Sequence, residues 1–161
     1  MGTLKFLTDG MLGKLTRWLR LLGYDAEYAN NIEDRKLMAL AVKEKRILLT
    51  QDQELFQQAT ARGIDTFLVK GRTEVDRLAR MAEKYGLPLE IDVTVSRCSK
   101  CNARIGQVAK DEVADKVEQA TFKFYSEFWK CPKCGQIYWQ GAHWKRIRET
   151  LEQAKKTDKI L

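Results

Sequence analysis

Apolar and polar positions in the first 92 residues follow two alternating patterns. Short, largely apolar runs predict β-strands over residues 4–8, 24–29, 46–50 and 64–69. Longer stretches with apolar residues three or four apart predict helices over residues 11–22, 34–42, 53–62 and 73–85, and a glycine follows the first and the last of them. Strands that alternate with helices indicate an α/β fold with parallel pairing and right-handed crossovers.

The composition changes near Leu89. Residues 91–95 alternate as a further strand that leads into a pair of cysteines, residues 110–117 suggest a short helix, and residues 143–156 predict a basic helix. We therefore predict two units, residues 1–92 and residues 93–161.

Composition places the chain among globular proteins. Of its 161 residues, 44% are hydrophobic and 32% charged, which argues against intrinsic disorder. Apolar runs such as residues 47–49 are too short to cross a bilayer, and residues 1–5 lack the layout of a secretory signal. We expect a cytoplasmic protein that does not associate with membranes.

Positive charge is concentrated in the C-terminal part. The net charge is +7, and residues 98–161 contain 13 Lys and Arg against 8 Asp and Glu. A basic surface suits a polyanionic partner, because each neutralised phosphate releases counterions. A solvated, lysine-rich surface that only keeps the protein in solution explains the charge equally well.

The four cysteines form two CxxC pairs, in the segments RCSKCN and KCPKCG. Two such pairs can hold one tetrahedral zinc ion through Cys98, Cys101, Cys131 and Cys134. Asn102 and Gly135 follow the pairs, and both residue types tolerate the positive φ of a zinc knuckle. Two disulfides or a redox-active pair are the alternatives, but a cytoplasmic chain favours zinc. Four sulfur ligands complete the coordination shell, so the predicted site is structural.

The single histidine, His143, is not needed as a zinc ligand. A packed or surface position explains it more simply than a nucleic-acid contact. The N-terminal unit contains no histidine, no Ser-His-Asp set and no phosphate-binding glycine loop.

Acidic residues instead follow two of the predicted strands and open a helix. Asp9 follows the first strand, Asp52 and Glu54 follow the third, and Glu33 and Asp34 begin the second helix. The carboxyl ends of parallel strands meet at one edge of a sheet, where such folds place their sites. Crowded carboxylates bind hard cations such as magnesium or manganese, which promote phosphodiester hydrolysis.

Each of these acids also has a structural explanation. Asp9 with Gly10 suits a turn, and Glu33 and Asp34 suit the first turn of a helix. Thr50 with Gln53 resembles a capping box. Because the acids recur at two strand ends and a helix start, their combination favours a metal site.

Three motifs in order carry a family resemblance: FLTDGMLGKLTRWLRLLGYD, RILLTQDQEL and KCPKCGQIYWQGAHW. Over residues 4–147 the chain resembles the Mut-seven C-terminal RNase family, PIN-like proteins with an appended zinc ribbon. The resemblance implies a PIN-like three-layer α/β/α sandwich with a mainly parallel sheet, plus a small C-terminal zinc ribbon. It also implies a magnesium- or manganese-dependent ribonuclease.

The same resemblance implies site residues. The family's acidic positions correspond to Asp9, Asp34 and Asp52, and Glu54 stands where relatives often have another acid. Its basic positions correspond to Lys14, Arg17 and Arg20. Arg17 and Arg20 are three residues apart on a helix, so they either hold a phosphate together or form a solvated face.

The ribbon supplies further candidates for binding RNA. Aromatic rings stack on bases and basic side chains follow the backbone, and the candidates are Trp139, Trp144, Lys145 and Arg146. The alternative is that most of the ribbon's rings form its core.

We predict an endoribonuclease whose ribbon assists RNA binding. A catalytically inactive RNA- or ribosome-binding protein and a toxin-type PIN ribonuclease remain alternatives, and the sequence leaves further protein partners and the oligomeric state open.

Overall fold

The computed structural model describes residues 3–160; residues 1, 2 and 161, including the start of the N-terminal segment considered above, lie outside the described residues. The N-terminal part contains a four-stranded sheet of β1 (Lys5–Asp9), β2 (Asp25–Ala29), β3 (Ile47–Thr50) and β4 (Thr66–Leu68). The strand order is β2-β1-β3-β4, and every neighbouring pair is parallel. The intervening helices are α1 (Gly13–Leu21), α2 (Asp34–Glu44), α3 (Gln53–Ala61) and α4 (Glu74–Tyr85).

Two hydrophobic cores lie on opposite faces of this sheet. Phe6 and Leu49 pack with α1 and α4, whereas Leu7 and Leu48 pack with α2 and α3. Successive side chains of a strand point to opposite faces, so the apolar runs in β1 and β3 fill both cores. The predicted three-layer α/β/α sandwich with a parallel sheet is confirmed.

The helices begin and end where the local sequence requires it. The Asp9 carboxylate accepts a hydrogen bond from the Met11 N–H (3.2 Å), and this turn delays the start of α1 to Gly13. Gly23 and Gly86 have φ of 98° and 66°, a left-handed conformation that glycine adopts without strain and that ends a helix.

The strand predicted at residues 91–95 is wrong. This segment forms a turn in which the Asp92 carboxylate accepts hydrogen bonds from the Thr94 N–H (3.0 Å) and hydroxyl (2.6 Å). The Asp92 carbonyl also accepts bonds from the backbone N–H groups of Val95 and Ser96, both at 3.1 Å. The aspartate side chain therefore organises the backbone locally, in competition with an extended strand.

The C-terminal part contains a second, antiparallel sheet, which we call the ribbon. Its strands are β5 (Gly106–Val108), β6 (Phe128–Lys130) and β7 (Ile137–Tyr138), in that order. Between β5 and β6 lie a 3₁₀ helix, Lys110–Val113, and α5 (Gln119–Phe124). The helix predicted at residues 110–117 is thus present only as one 3₁₀ turn. Val113, Phe128 and Ile137 form a small buried core.

The last helix, α6 (His143–Ile160), connects the ribbon to the α/β unit. Its buried residues Leu151 and Ala154 belong to the same hydrophobic core as α1 and α4. The division at residue 93 stays a prediction, but the two parts share this core. Of the helices in residues 3–160, none combines the length and apolar character of a membrane span.

We expect Leu151→Ala to destabilise the whole protein. Leu151 is 4% exposed, and truncating a buried leucine typically lowers the free energy of unfolding by about 2–5 kcal/mol. The control is Gln153→Ala on the exposed side of α6, which should change it by less than about 0.5 kcal/mol. Urea denaturation followed by circular dichroism measures both. Equal midpoints for the two variants would show that α6 does not contribute to the core.

Candidate functional site

Two of the predicted acids are connected through one buried threonine. Asp9 ends β1 and Thr50 ends β3, and these strands are neighbours in the sheet. The Thr50 hydroxyl donates a hydrogen bond to Asp9 Oδ2 and accepts one from the Asp52 N–H (2.9 Å). Thr50 is fully buried, so this link holds both residues at the carboxyl edge of the sheet.

Asp52 is also the N-cap of α3. Its Oδ1 accepts hydrogen bonds from the N–H groups of Glu54 (2.9 Å) and Leu55 (3.2 Å). The capping pair suggested for Thr50 and Gln53 is therefore replaced by Asp52 itself. Its second oxygen, Oδ2, takes part in neither bond. The helix N-terminus favours the negative charge at this position.

The other two acids lie in the first turns of their helices. Asp34 is exposed at the start of α2, and Glu54 is exposed at the start of α3. In the part of the chain that the structure describes, the four cysteines are the one group of three or more possible metal ligands within 4.8 Å of one another. The structure thus joins Asp9 and Asp52 through Thr50, but it does not gather the four carboxylates into a compact cluster.

The four cysteine sulfurs form that compact cluster. Cys101 Sγ lies 3.4 Å from Cys131 Sγ, and Cys98 Sγ lies 3.6 Å from Cys134 Sγ. Both separations are far longer than a disulfide bond of about 2.05 Å. Tetrahedral zinc with Zn–S bonds of about 2.3 Å places its sulfurs about 3.8 Å apart. The cluster therefore suits a zinc ion, and the disulfide alternative is wrong for this structure.

Both cysteine pairs adopt the turn that the sequence predicts. We call residues 98–102 the first knuckle and residues 131–135 the second. Asn102 and Gly135 have φ of 73° and 81°, and their N–H groups bond to the carbonyls of Cys98 and Cys131, each at 2.9 Å. Burial raises the pKa of Cys131, but the hydrogen bonds that this sulfur accepts, first those from the backbone N–H groups of Cys134 and Lys133, outweigh burial and bring the pKa down to about 7. At Cys131 this favours the thiolate that a metal requires, whereas the pKa of Cys101 is lowered by the Ala103 N–H but raised by burial and the other three thiols, to about 11.

Tyr138 supports the first knuckle from β7. Its hydroxyl lies 3.0 Å from Cys98 Sγ and accepts a hydrogen bond from the Ser99 N–H (3.2 Å). Burial, together with the contact to Cys98, raises the pKa of Tyr138 to about 12, so its hydroxyl remains a donor. Tyr138 was not among the predicted site residues, and its position four residues after Cys134 was the available signal.

The first knuckle also binds the edge of the parallel sheet. Asn102 Oδ1 accepts a hydrogen bond from the Ala26 N–H (3.1 Å), and its Nδ2 donates to Asp25 Oδ1 (2.7 Å) and Glu27 Oε1 (3.0 Å). Arg20 adds two bonds, from Nε to the Ala26 carbonyl (2.7 Å) and from Nη1 to the Ser99 carbonyl (2.9 Å). Polar groups of the edge strand β2 are thereby paired with the knuckle and with α1.

The predicted basic residues of α1 occupy different environments. Arg20 is 6% exposed and engaged with backbone carbonyls, so its principal role is to join α1, β2 and the first knuckle. Lys14 and Arg17 are exposed. All three line a cleft of about 440 Å³, the basic cleft, whose wall also contains Lys100 and Tyr28.

The basic cleft adjoins the acidic site, by which we mean Asp9, Thr50 and Asp52. The Tyr28 hydroxyl donates a hydrogen bond to the carbonyl of Gly10, the residue after Asp9 (2.7 Å). The exposed Asn30 side chain borders this turn: a Cβ added at position 10 would lie 2.6 Å from Asn30 Oδ1, and this side chain can rotate away. The Tyr28–Gly10 hydrogen bond thus joins the basic cleft to the residue next to Asp9.

The predicted aromatic residues line a second cleft of about 260 Å³, the tryptophan cleft. It contains all four tryptophans of the chain: Trp18, Trp129, Trp139 and Trp144. Trp139 and Trp144 are half-buried in its wall, and His143 lies beside them. Lys145 and Arg146 are exposed on α6 outside this cleft. Trp18 was not among the predicted binding residues, because its helical spacing indicated a core position.

Asn102→Gly should lower the free energy of unfolding by about 1–3 kcal/mol, because it leaves the buried Ala26 N–H without its acceptor. Glycine keeps the left-handed backbone without strain, so the change isolates the side chain.

The matched control is Gly135→Asn at the equivalent position of the second knuckle, where an added Cβ meets nothing within 4 Å. Asparagine tolerates this backbone, so the change should stay below about 1 kcal/mol. Thermal and urea denaturation measure both. Equal losses would mean that the knuckle turn matters and the contact to β2 does not.

Comparison with known proteins identifies a family. The family model of the Mut7-C RNAse domain matches residues 4–151, from the start of the first strand region into α6. Comparisons with curated proteins and with solved structures found no significant match. The family description implies a ribonuclease, a hydrolase with RNA as its substrate. The match extends over most of the chain, and the chain therefore belongs to the Mut7-C RNAse domain family.

Proposed function

We propose that this protein is a metal-dependent endoribonuclease that hydrolyses RNA at the carboxyl edge of its parallel sheet. The observation that carries the proposal is the Asp9–Thr50–Asp52 chain at the ends of β1 and β3. Two carboxylates on adjacent parallel strands, placed where α/β folds locate their sites, suit a divalent cation.

The donor atoms fit magnesium or manganese. Both ions prefer oxygen ligands, and magnesium is commonly held by one or two carboxylates together with waters and substrate phosphates. Asp9 and Asp52 supply the first carboxylates, and the exposed side chains of Asp34 and Glu54 would have to turn toward them to supply more. When bound, such an ion activates a water and stabilises the departing oxygen.

Basic side chains supply the contacts to the RNA backbone. Lys14 and Arg17 are exposed in the basic cleft, and Lys145 and Arg146 are exposed on α6. The zinc ion has a structural role, because four sulfurs complete its shell and leave no position for substrate.

Asp9→Asn and Asp52→Asn should each reduce manganese-dependent cleavage of single-stranded RNA by more than about 100-fold. Mutation of a residue that only hydrogen-bonds to a metal ligand typically lowers metal affinity or activity by about 10- to 100-fold. Asp9 and Asp52 are proposed as ligands themselves, so their loss should have a larger effect. Asparagine keeps an oxygen that caps α3 as well as aspartate does, so Asp52→Asn should remain folded. Cleavage of a labelled oligonucleotide by freshly purified protein measures the effect.

The control for this experiment is Asp115→Asn, an exposed acid in the ribbon. It should cleave at the rate of the unmodified protein. If both Asp9→Asn and Asp52→Asn retain that rate, the acidic site is not catalytic. RNA binding without any manganese-dependent cleavage would favour the alternative of an inactive RNA- or ribosome-binding protein.

Zinc removal should destabilise both parts of the protein. Elemental analysis should find one zinc per chain, and Cys131→Ser should lose it together with folding free energy on the order of 10 kcal/mol. Because Asn102 and Arg20 join the first knuckle to β2, the α/β unit should also unfold more easily. Hydrogen exchange of β2 amides in the two proteins measures this. Folded protein that contains no zinc would contradict the proposal.

A further inference from the structure

All four tryptophans of the chain meet in the tryptophan cleft although they come from four separate elements. Trp18 lies in α1, Trp129 in β6, Trp139 directly after β7 and Trp144 in α6. Trp129 is 7% exposed, and the other three are half-buried. The cleft thus combines large aromatic surfaces from the α/β unit, the ribbon and the last helix.

The tryptophan cleft is continuous with the basic cleft. Arg17 and Ser99 line both of them. At its other end the basic cleft contains Tyr28, which is bonded to the carbonyl of Gly10 beside Asp9. A single surface therefore leads from the acidic site, past exposed lysine and arginine side chains, to the four indole rings.

Charge along the two clefts has one sign. Among the described residues that line the two clefts, none is acidic. The cationic side chains on them are Lys14, Arg17, Arg20, Arg97 and Lys100. An apolar, aromatic cleft within a purely cationic surface complements a polyanion that carries flat apolar groups, and a neutral peptide would gain nothing from these charges.

Packing and a backbone hydrogen bond fix Trp139 and Trp144 in the wall of the cleft. Gly141 lies so close to Trp139 that an added Cβ would be 2.8 Å from the indole Nε1. The ring of Phe128 packs against Trp139 from the ribbon core, with ring centroids 6.2 Å apart. The Trp144 N–H bonds to the Gly141 carbonyl at 2.9 Å, which sets the start of α6. A preformed cleft of this kind reduces the entropic cost of binding.

We propose that the tryptophan cleft binds an unpaired nucleobase of the RNA, while the adjoining backbone follows the basic cleft to Asp9. This rests on the proposed ribonuclease function and names its substrate class as single-stranded RNA. The cleft volume of about 260 Å³ lies just below the range of roughly 300–1,000 Å³ typical of small-molecule pockets, which suits one base. Bases stacked within a duplex cannot enter it.

Intrinsic fluorescence tests the proposal, because every tryptophan of the chain lines this cleft. Full-length protein is titrated without magnesium or manganese, so that the RNA stays intact. Three probes are compared: a short oligouridylate, an abasic oligomer with the same number of phosphates, and an RNA duplex. The oligouridylate should quench the emission and bind most tightly, whereas the other two should leave the emission nearly unchanged.

Substitutions separate base stacking from charge. Trp144→Ala should weaken oligouridylate binding roughly 5- to 150-fold without changing its salt dependence, because stacking releases no counterions. Trp144→Phe should restore most of the affinity. The matched control is Phe124→Ala, an 81% exposed aromatic of the ribbon that does not line the cleft; its affinity should equal that of the unmodified protein. Zinc content and melting temperature verify that each variant is folded.

The outcomes distinguish this inference from the proposed function. Equal quenching by the oligouridylate and the abasic oligomer, or unchanged affinity in folded Trp144→Ala, would overturn the nucleobase site. If such a protein still cleaved RNA with manganese, the ribonuclease proposal would stand and the cleft would be assigned to another ligand, such as an apolar protein segment. Quenching that requires bases, in a protein without cleavage activity, would support the cleft and refute the nuclease.

Discussion

The edge strand β2 is the constraint on which the rest of this structure depends. An edge strand presents unpaired N–H and carbonyl groups, and a protein must cover or pair them. Here the N–H of Ala26 bonds to Asn102 and its carbonyl bonds to Arg20, so the first knuckle and α1 complete the sheet at this side. Because β2 pairs with β1 along its whole length, from Lys5 opposite Asp25 to Asp9 opposite Ala29, this closure also supports the strand that ends at Asp9.

This arrangement makes the cysteine cluster part of the α/β unit's architecture. The knuckle can present Asn102 to β2 only while its turn is held, and a zinc ion bound by the four sulfurs would hold it. Asn102 in turn lies between two carboxylates, Asp25 and Glu27, and Asp25 is also paired with Arg46 at 2.6 Å. Burial alone would raise the pKa of Asp25, but the contacts to Arg46 and Asn102 lower it overall. The carboxylates at this edge of the sheet are therefore stabilised by hydrogen bonds from Asn102 on the ribbon side, and the charge of Asp25 is balanced by Arg46 at the start of β3.

Both clefts form where the two parts of the chain meet. The basic cleft combines α1 with the first knuckle, and the tryptophan cleft combines α1, the ribbon and α6. Neither surface exists in one part alone. The ribbon thus contributes to the proposed RNA site chiefly by completing walls that α1 begins, and α6 is joined to α1 and α4 in one hydrophobic core.

Local patterns in the sequence determined the parallel strands, the helices between them, the two cysteine pairs and the left-handed residue after each pair. These features depend on hydrophobic period, residue spacing and the tolerance of glycine and asparagine for positive φ, all of which act within a few residues. The prediction of a strand at residues 91–95 was wrong because the Asp92 side chain forms hydrogen bonds with Thr94 that stabilise a turn instead. The roles of Arg20, Asn102 and Trp18 were decided only by the tertiary structure. Each contacts groups far away in the chain: Arg20 reaches Ser99, Asn102 reaches Ala26, and Trp18 meets Trp144 in one cleft. Helical spacing predicts which face of a helix a residue occupies. The residues that this face contacts depend on how distant segments of the chain pack, so they cannot be predicted from spacing alone.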